Sequence, residues 1–369
     1  MVAVTSAAYS TNTYYKAAAS AQAAAATSVA ATGSSATAEE QAAATVTLSD
    51  EARAALAAKD FATVVSDTHA KLLTLLTEAD RTSPLEGDKL ALDLSSLDAR
   101  ELFAMASDDS FTEDEREAAG LEMQRRFEAA MAGPAAIAEV TGNYAGLYKA
   151  AADYLDSLGP EEKDGSDWVN GRAAITEAQK QLQADPKTMP DVGEDDPVAL
   201  YLALIEAGAG AQPQDIADVA TGARKTLDAL YADAIKAGKV PTFNKATTVG
   251  TYIDMSKFPS RTLSSIVLDT SGQFSTQEVS AANSALRAKS GAALLAGFQN
   301  AAKSSDPTAF SQNIMSLFAS MSPEERQATG WSDQFYQAAV QSYQSTTKLM
   351  DMFAQAGGGN TGFLSWMGK

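Results

Sequence analysis

Apolar side chains recur at helical spacing over most of the chain. A spacing of three and four residues between apolar positions is that of an amphipathic helix with one buried face. We therefore predict an all-α fold whose cores lie under these faces. The stripes comprise Val65, Leu72, Leu73 and Leu76, then Ala119, Met123, Phe127 and Ala130, then Val279, Ala282, Leu286 and Ala293, and finally Phe335, Ala339, Tyr343, Leu349 and Phe353.

Two short segments alternate apolar and polar residues instead. The first covers residues 90–94 and the second residues 251–255. A period of two is that of an extended strand with one buried face. We predict a very short β segment at each place, within a chain that is otherwise helical.

One pattern of residues occurs twice, and every part of the second copy lies 163 positions after the matching part of the first. A Phe precedes a hydroxyl residue and a Glu, and 49 residues after the Phe come Pro-Glu-Glu and then a Trp. The copies are Phe111-Thr112-x-x-Glu115 with Pro160-Glu161-Glu162 and Trp168, and Phe274-Ser275-x-x-Glu278 with Pro323-Glu324-Glu325 and Trp331. Chance rarely aligns so many uncommon residues, so we predict two tandem copies of one helical unit.

Composition divides the chain into five segments. The first has too few large side chains to dock on a core, and we predict that it is disordered. An acidic, proline-punctuated connector separates the two predicted units, because proline interrupts a helix. The segments are an Ala/Ser/Thr-rich arm at 1–46, unit 1 at 47–185, a linker at 186–197, unit 2 at 198–356, and a Gly hinge with an apolar tail at 357–369.

Charge and composition exclude several classes of partner. The 369 residues carry a formal net charge of −19, which repels nucleic-acid backbones and anionic lipid surfaces. No run of about 18 strongly apolar residues predicts a membrane span. Residues 1–46 lack the basic start and compact apolar run of a Sec signal. The chain has no cysteine, which excludes disulfides and thiolate chemistry and leaves the compartment open.

The turn before the second copy of the pattern carries the only suggestive metal chemistry. It resembles an EF-hand loop, with Gly272 at the sixth place and Glu278 at the twelfth. Asp269 and Ser271 stand at the third and fifth places, whereas Val267 occupies the first place and cannot bind a metal. The resemblance implies a degenerate calcium site formed by Asp269, Ser271 and Glu278.

A structural explanation of the same residues competes with the calcium site. Thr112-x-x-Glu115 and Ser275-x-x-Glu278 both have the form of a capping box, in which a hydroxyl and a Glu satisfy free N–H groups at a helix start. Each capping residue contributes about 1 kcal/mol. We favour caps without metal over calcium ligands.

No residue pattern predicts catalysis. His69 is the only histidine, and without a second histidine or a convergent carboxylate motif we expect a boundary or core position. Adjacent glutamates on a helix point apart, which argues against an acid–base pair in the Pro-Glu-Glu segments. Trp168 and Trp331 are expected to anchor cores. We predict a protein that is not an enzyme and has no cofactor.

The segment after the glycines at 357–359 contains four large apolar side chains. They are Phe363, Leu364, Trp366 and Met367. Apolar groups beyond a hinge either fold back onto the body or dock on a protein partner, and the sequence leaves both open.

Two resemblances bear on function. Residues 46–52, Val-Thr-Leu-Ser-Asp-Glu-Ala, resemble a stretch of bacterial flagellar and other non-Sec-exported proteins. From Leu48 to Phe353 the chain resembles uncharacterised alanine-rich bacterial helical proteins with degenerate EF-hand-like repeats. These resemblances imply a structural or protein-interaction protein of the bacterial cytoplasm, or one exported by a flagellar or type III-like route. A calcium-responsive protein is the alternative.

Overall fold

The computed structural model describes residues 59–357 except for residues 88, 212 and 213. Over this part of the chain the fold is all-α, with thirteen α-helices and strands of only two residues each. The arm at 1–46, the stretch at 46–52 and the apolar side chains at 363–367 lie outside the described residues. What was predicted for them stays a prediction.

The first half of the described chain contains seven helices and one two-stranded hairpin. β1 and β2 pair antiparallel, with Leu85 opposite Leu90. The elements are α1 (Phe61–Ala79), β1 (Leu85–Glu86), β2 (Lys89–Leu90), α2 (Ala99–Ser107), α3 (Glu113–Thr141), α4 (Ala145–Asp156), α5 (Pro160–Lys163), α6 (Ser166–Ala184) and α7 (Pro197–Glu206).

From α8 to α13, the second half repeats the order of long and short helices that the first half has from α1 to α6. Its two short strands pair parallel, with Pro241 opposite Thr251. The elements are α8 (Ile216–Lys236), β3 (Pro241–Thr242), β4 (Thr251–Tyr252), a 3₁₀ turn (Met255–Lys257), α9 (Ser260–Leu268), α10 (Thr276–Lys303), α11 (Ala309–Ser320), α12 (Pro323–Thr329) and α13 (Asp333–Gly357). Among the described residues, α7 has no counterpart in this half.

The two long helices α3 and α10 begin at the predicted capping boxes. Glu115 donates its N–H to the Thr112 hydroxyl (3.3 Å) and accepts from the Thr112 N–H (2.8 Å). Glu278 and Ser275 make the same reciprocal pair, at 3.3 and 2.6 Å. Two free N–H groups are satisfied at each helix start, so the prediction of caps is confirmed.

Each half contains an inner and an outer hydrophobic core. The inner core lies between α1, α2 and the start of α3 in the first half, and between α8, α9 and the start of α10 in the second half. The outer cores lie farther along α3 and α10. Central residues are Leu72, Leu102 and Met123 in the first inner core, Met131, Leu147 and Ile175 in the first outer core, Leu227, Leu263 and Leu286 in the second inner core, and Ile314, Met315 and Ala339 in the second outer core.

Two of the predicted apolar faces are wrong in part. In α1 the buried face includes Thr68, whose hydroxyl donates to the Val64 carbonyl (2.7 Å), whereas Leu73 is 67% exposed. A threonine that satisfies its own hydroxyl can therefore occupy a core position. In α13, Phe335, Leu349 and Phe353 were predicted to be buried but are 39%, 51% and 69% exposed.

The direction of α13 explains why its later turns are exposed. α13 runs antiparallel to α11, because Tyr336 packs on Phe318 (4.8 Å between ring centroids) while Ser342 lies 3.1 Å from Ser311. α11 begins at Ala309, only two residues before Ser311. Roughly the last three turns of α13 therefore extend past the end of the helix that covers its earlier turns.

The predicted boundary between the units also needs correction. Unit 2 was expected to begin at residue 198, but Val198 and Tyr201 of α7 are buried in the first outer core. Asp196, in the predicted linker, is 1% exposed and accepts a hydrogen bond from the Tyr148 hydroxyl (2.5 Å). Packing thus places α7 with the first half, and the break between the halves follows Glu206.

The two halves pack against each other through α3 and α11. Gly133 of α3 faces Ser316 of α11 so closely that an added Cβ would lie 2.2 Å from the serine hydroxyl and 3.2 Å from its carbonyl oxygen. Val140, near the end of α3, packs against the second outer core. Lys225 of α8 also donates to the Ala79 carbonyl of α1 (2.7 Å).

A leucine at residue 133 tests this close approach. We expect Gly133→Leu to lower the free energy of unfolding by about 1 to 3 kcal/mol, because the larger side chain overpacks the contact with Ser316. Gly120 lies in the same helix with open space around it, so Gly120→Leu should keep or raise stability. Urea unfolding measures both. Equal effects of the two substitutions would contradict the close packing.

Candidate functional site

The three residues predicted to bind calcium lie in the turn between α9 and α10, in three different environments. Asp269 has a left-handed backbone (φ 39°), and its Oδ1 accepts hydrogen bonds from the N–H groups of Gln273 (2.9 Å) and Phe274 (3.3 Å). Ser271 is exposed, whereas Glu278 is only 3% exposed. Asp269 therefore closes the turn through the backbone.

Glu278 is held by donors on both carboxylate oxygens. Its Oε1 accepts from the Arg224 guanidinium (2.7 Å) and the Tyr231 hydroxyl (2.7 Å), and its Oε2 accepts from the Ser275 N–H. Burial alone would raise the pKa of Glu278, but the hydrogen bonds from Tyr231, Ser275 and Arg224 outweigh it and hold the pKa below its ordinary value. A calcium ion would have to displace these donors beside a fixed cation.

The described part of the chain offers no group of three acidic, histidine or cysteine side chains placed to hold a metal ion. The residues that resemble an EF-hand loop form a turn and a helix cap in the structure. The geometry thus supports the structural explanation of Asp269, Ser271 and Glu278 better than the calcium site.

An open cleft of about 650 Å³ lies beside Glu278. Arg224 stands over the rings of Tyr231 (5.6 Å) and Phe274 (5.5 Å) and pairs with Asp228 (2.9 Å) as well as with Glu278. Two carboxylates neutralise this arginine, so the cleft offers no net positive charge to an anionic ligand. The lining comprises Arg224, Asp228, Tyr231, Pro241, Thr242, Phe243, Gln273, Ser275, Gln277 and Glu278.

His69 occupies the position in the first half that Arg224 occupies in the second. Each is the ninth residue of its helix, α1 or α8. The His69 ring stacks on Phe111 at 3.8 Å and its Nε2 lies 2.8 Å from the Ser110 hydroxyl, just as Arg224 covers Phe274. His69 is half-buried at the edge of the inner core, the boundary position that the sequence predicts.

One arginine in each half joins three separate segments. Arg100 of α2 donates its Nε to Glu161 of α5 (2.7 Å) and its Nη2 to the Lys59 carbonyl (2.8 Å), just before α1. The hydrogen bond with Glu161 is the largest influence on Arg100, and it raises the pKa of the guanidinium.

Arg261 of α9 makes the same two contacts in the second half. It donates to Glu324 of α12 (3.4 Å) and to the Gln214 carbonyl (2.5 Å), just before α8. Neither arginine was among the functional residues predicted from the sequence. The signal was present, because Arg100 and Arg261 each follow an Asp-apolar-Ser phrase by the same number of residues.

The paired glutamates of the two Pro-Glu-Glu segments point apart. Glu161 and Glu324 face the arginines, whereas Glu325 caps α12 with Ser322. Glu162 is buried, and its Oε2 has no partner among the described residues. Loss of solvent raises the pKa of Glu162 from 4.5 to about 8, and nearby Lys163 opposes that shift only in part.

The two tryptophans lie at the edges of the outer cores. Trp168 donates its Nε1 to the Leu155 carbonyl (2.9 Å) and packs on the first outer core. Trp331 packs on the second outer core and contacts Phe335 edge to face at 5.0 Å between centroids. Both are half-buried, in keeping with an anchoring position at the core boundary.

Comparison with known proteins finds no matching family model, curated sequence or solved structure. Among the helices that the structure describes, none has the length and apolar character needed to cross a bilayer.

Glu162 gives a pH-dependent prediction. Its folded-state pKa lies above its unfolded value, so folding favours the protonated form, and the wild type loses stability as pH rises from about 4.5 to about 8. We expect Glu162→Gln to stabilise the protein by roughly 1 to 3 kcal/mol at pH 8, with a smaller effect near pH 4.5.

Thermal or urea unfolding at several pH values checks this difference. Glu113→Gln, at an exposed site in α3, serves as the control and should show no comparable pH dependence. A constant difference between Glu162→Gln and the wild type from pH 4.5 to 8 would contradict a buried, unpartnered carboxyl.

Proposed function

We propose that this chain is a non-catalytic structural or protein-interaction protein built from two copies of one helical unit. The duplication is supported by the shared order of helices, the matched capping boxes and the matched arginine contacts of Arg100 and Arg261. The repeated residues form helix caps and turns, so EF-hand-like loops are not needed to explain why these residues recur.

A non-catalytic protein is supported by what the conspicuous charged groups do. Arg100, Arg261 and Arg224 each bind a glutamate that holds two elements together. Glu122 of α3 is likewise held by Arg125 and Arg126 of its own helix. These bonds stabilise the fold and leave no convergent acid, base and nucleophile in the cleft that the geometry would assign to a reaction.

The observation that carries an interaction role is a group of exposed apolar side chains at one end of the second half. α10 ends and α11 begins there, and the last turns of α13 extend past the start of α11. We call this group the apolar end patch. It comprises Leu295, Phe298, Phe310, Leu349 and Phe353, which are between 36% and 69% exposed.

Large apolar side chains gathered at one end of a protein mark a surface for another apolar surface. The net charge of −19 keeps the rest of the protein surface apart from anionic partners. We propose a protein partner that presents apolar side chains to the end patch. The predicted non-Sec export route rests on the sequence alone and fits an interaction protein without being required by it.

Calcium response is the weaker of the two candidate functions. Among its three proposed ligands, Asp269 closes a turn and Glu278 is bound by Arg224 and Tyr231. The observations favour the interaction role over calcium binding.

Capture experiments with patch variants test the interaction role. Leu349→Asp/Phe353→Asp places two charges on the end patch and should abolish retention of partners from an extract of the source cells. Leu73→Asp/Ile235→Asp makes the same change at two exposed sites outside the patch, and it should retain the wild-type set. Identical sets of captured proteins for all three baits would contradict a docking role for the patch.

A further inference from the structure

The first outer core is far better covered than the second. In the described chain, thirteen buried residues form the first outer core and only three form the second. The difference is greatest where α7 packs in the first half. Val198 and Tyr201 of α7 are 0% and 6% exposed against α4 and α6, and no described element takes this place in the second half.

Equivalent positions show what α7 covers. Leu147, at the start of α4, is fully buried, whereas Phe310, 163 positions later at the start of α11, is 36% exposed. Ala135 packs against the first outer core, but its counterpart Phe298 is 57% exposed. Phe298 and Phe310 contact each other edge to face at 5.7 Å. The apolar end patch therefore includes the surface that α7 covers in the first half.

The burial pattern of α6 matches that of α13 at a spacing of 165 residues. Ile175 faces the first outer core and Val340 the second, at a spacing of 165 residues, and Ala174 and Ala339 are both buried at the same spacing. Gly171 and Ala178 are buried on the same face of α6, and residues 165 positions later pack on the second outer core. The same spacing can be applied to the residues that follow each helix.

Adding 165 to the residue numbers at the start of α7 gives residues 361–366. Asp196, the N-cap of α7, corresponds to Thr361, another residue type that caps helices. The two buried anchors Val198 and Tyr201 correspond to Phe363 and Trp366, which keep the separation of three residues and the large apolar side chains. The alignment of residues 361–366 with the start of α7 does not depend on how exposed the apolar end patch is.

We propose that residues 361–367 dock on the apolar end patch of the same molecule, through Phe363 and Trp366, in the place that α7 occupies in the first half. Phe363 follows the end of α13 by six residues, which reach up to about 20 Å when extended. Phe353 lies four residues before that end, about 6 Å along the helix axis. The tail can therefore turn back over the patch.

Docking of the tail gives the interaction surface two states. The patch is covered when the tail is docked and available when a partner displaces the tail. This regulatory meaning rests on the proposed function, but the docking itself does not, because it needs no partner. Occupation of the patch by the tail of a second molecule is the competing outcome.

A single thiol measures whether the patch is covered. The chain has no cysteine, so Phe298→Cys in the full chain reports the accessibility of that position alone. We expect alkylation by iodoacetamide to be roughly tenfold slower in the full chain than in a chain ending at residue 357, as about 90% occupancy of the docked state gives. Circular dichroism confirms that both chains remain helical.

A matched pair of substitutions tests the register. Phe363→Asp, in the Phe298→Cys background, should raise the alkylation rate to that of the truncated chain. Ser365→Asp adds the same charge at the counterpart of Leu200, which is 45% exposed on α7, and should leave the rate slow. Equal rates in the full chain, the truncated chain and Phe363→Asp would overturn the proposal.

Protein concentration separates the tail of the same molecule from that of a second one. A protection that grows with concentration, together with a dimer in light scattering, would contradict docking within one molecule. All of these rates are measured on the pure protein. Slow alkylation of the full chain with no captured partner would thus sink the proposed function and leave the docking of the tail standing.

Discussion

One largely buried arginine in each half joins three segments that are far apart in sequence. Arg100 and Arg261 each reach the carbonyl just before the first long helix and a glutamate of the short Pro-Glu-Glu helix. Much of the apolar content of the chain is alanine. An alanine side chain buries little apolar area, and its small size does little to fix how neighbouring helices pack. Directional hydrogen bonds then fix how the helices meet, because a largely buried guanidinium that loses its acceptors is left as an uncompensated charge.

The matched halves also explain why the second outer core is open. The first half places α7 over α4 and α6, with Asp196 bonded to Tyr148 and Tyr201 buried. In the second half, Phe298 and Phe310 occupy positions whose counterparts lie in the first outer core, and they are exposed. Within the described residues, the second half thus presents core-type side chains at its surface, and such a surface suits docking. The function we propose is thus a consequence of the architecture.

Local chemistry in the sequence predicted the helices and their caps. The capping boxes at Thr112 and Ser275 depend only on residues three positions apart, so they can be recognised without the fold. Exposure of Leu349 and the packing of Val198 with the first half could not be predicted, because both depend on which helices meet in space. The EF-hand-like spacing around Glu278 gave no sign that Arg224, 54 residues earlier, binds this carboxylate.

Hydrogen exchange of single arginine variants tests the central claim most directly. If each arginine organises its own half, Arg100→Gln should speed amide exchange at the start of α1 and in α5, and Arg261→Gln should do so at the start of α8 and in α12. The other half should keep its wild-type exchange in each case. Exchange that rises equally in both halves for either variant, or that changes in neither, would contradict the account.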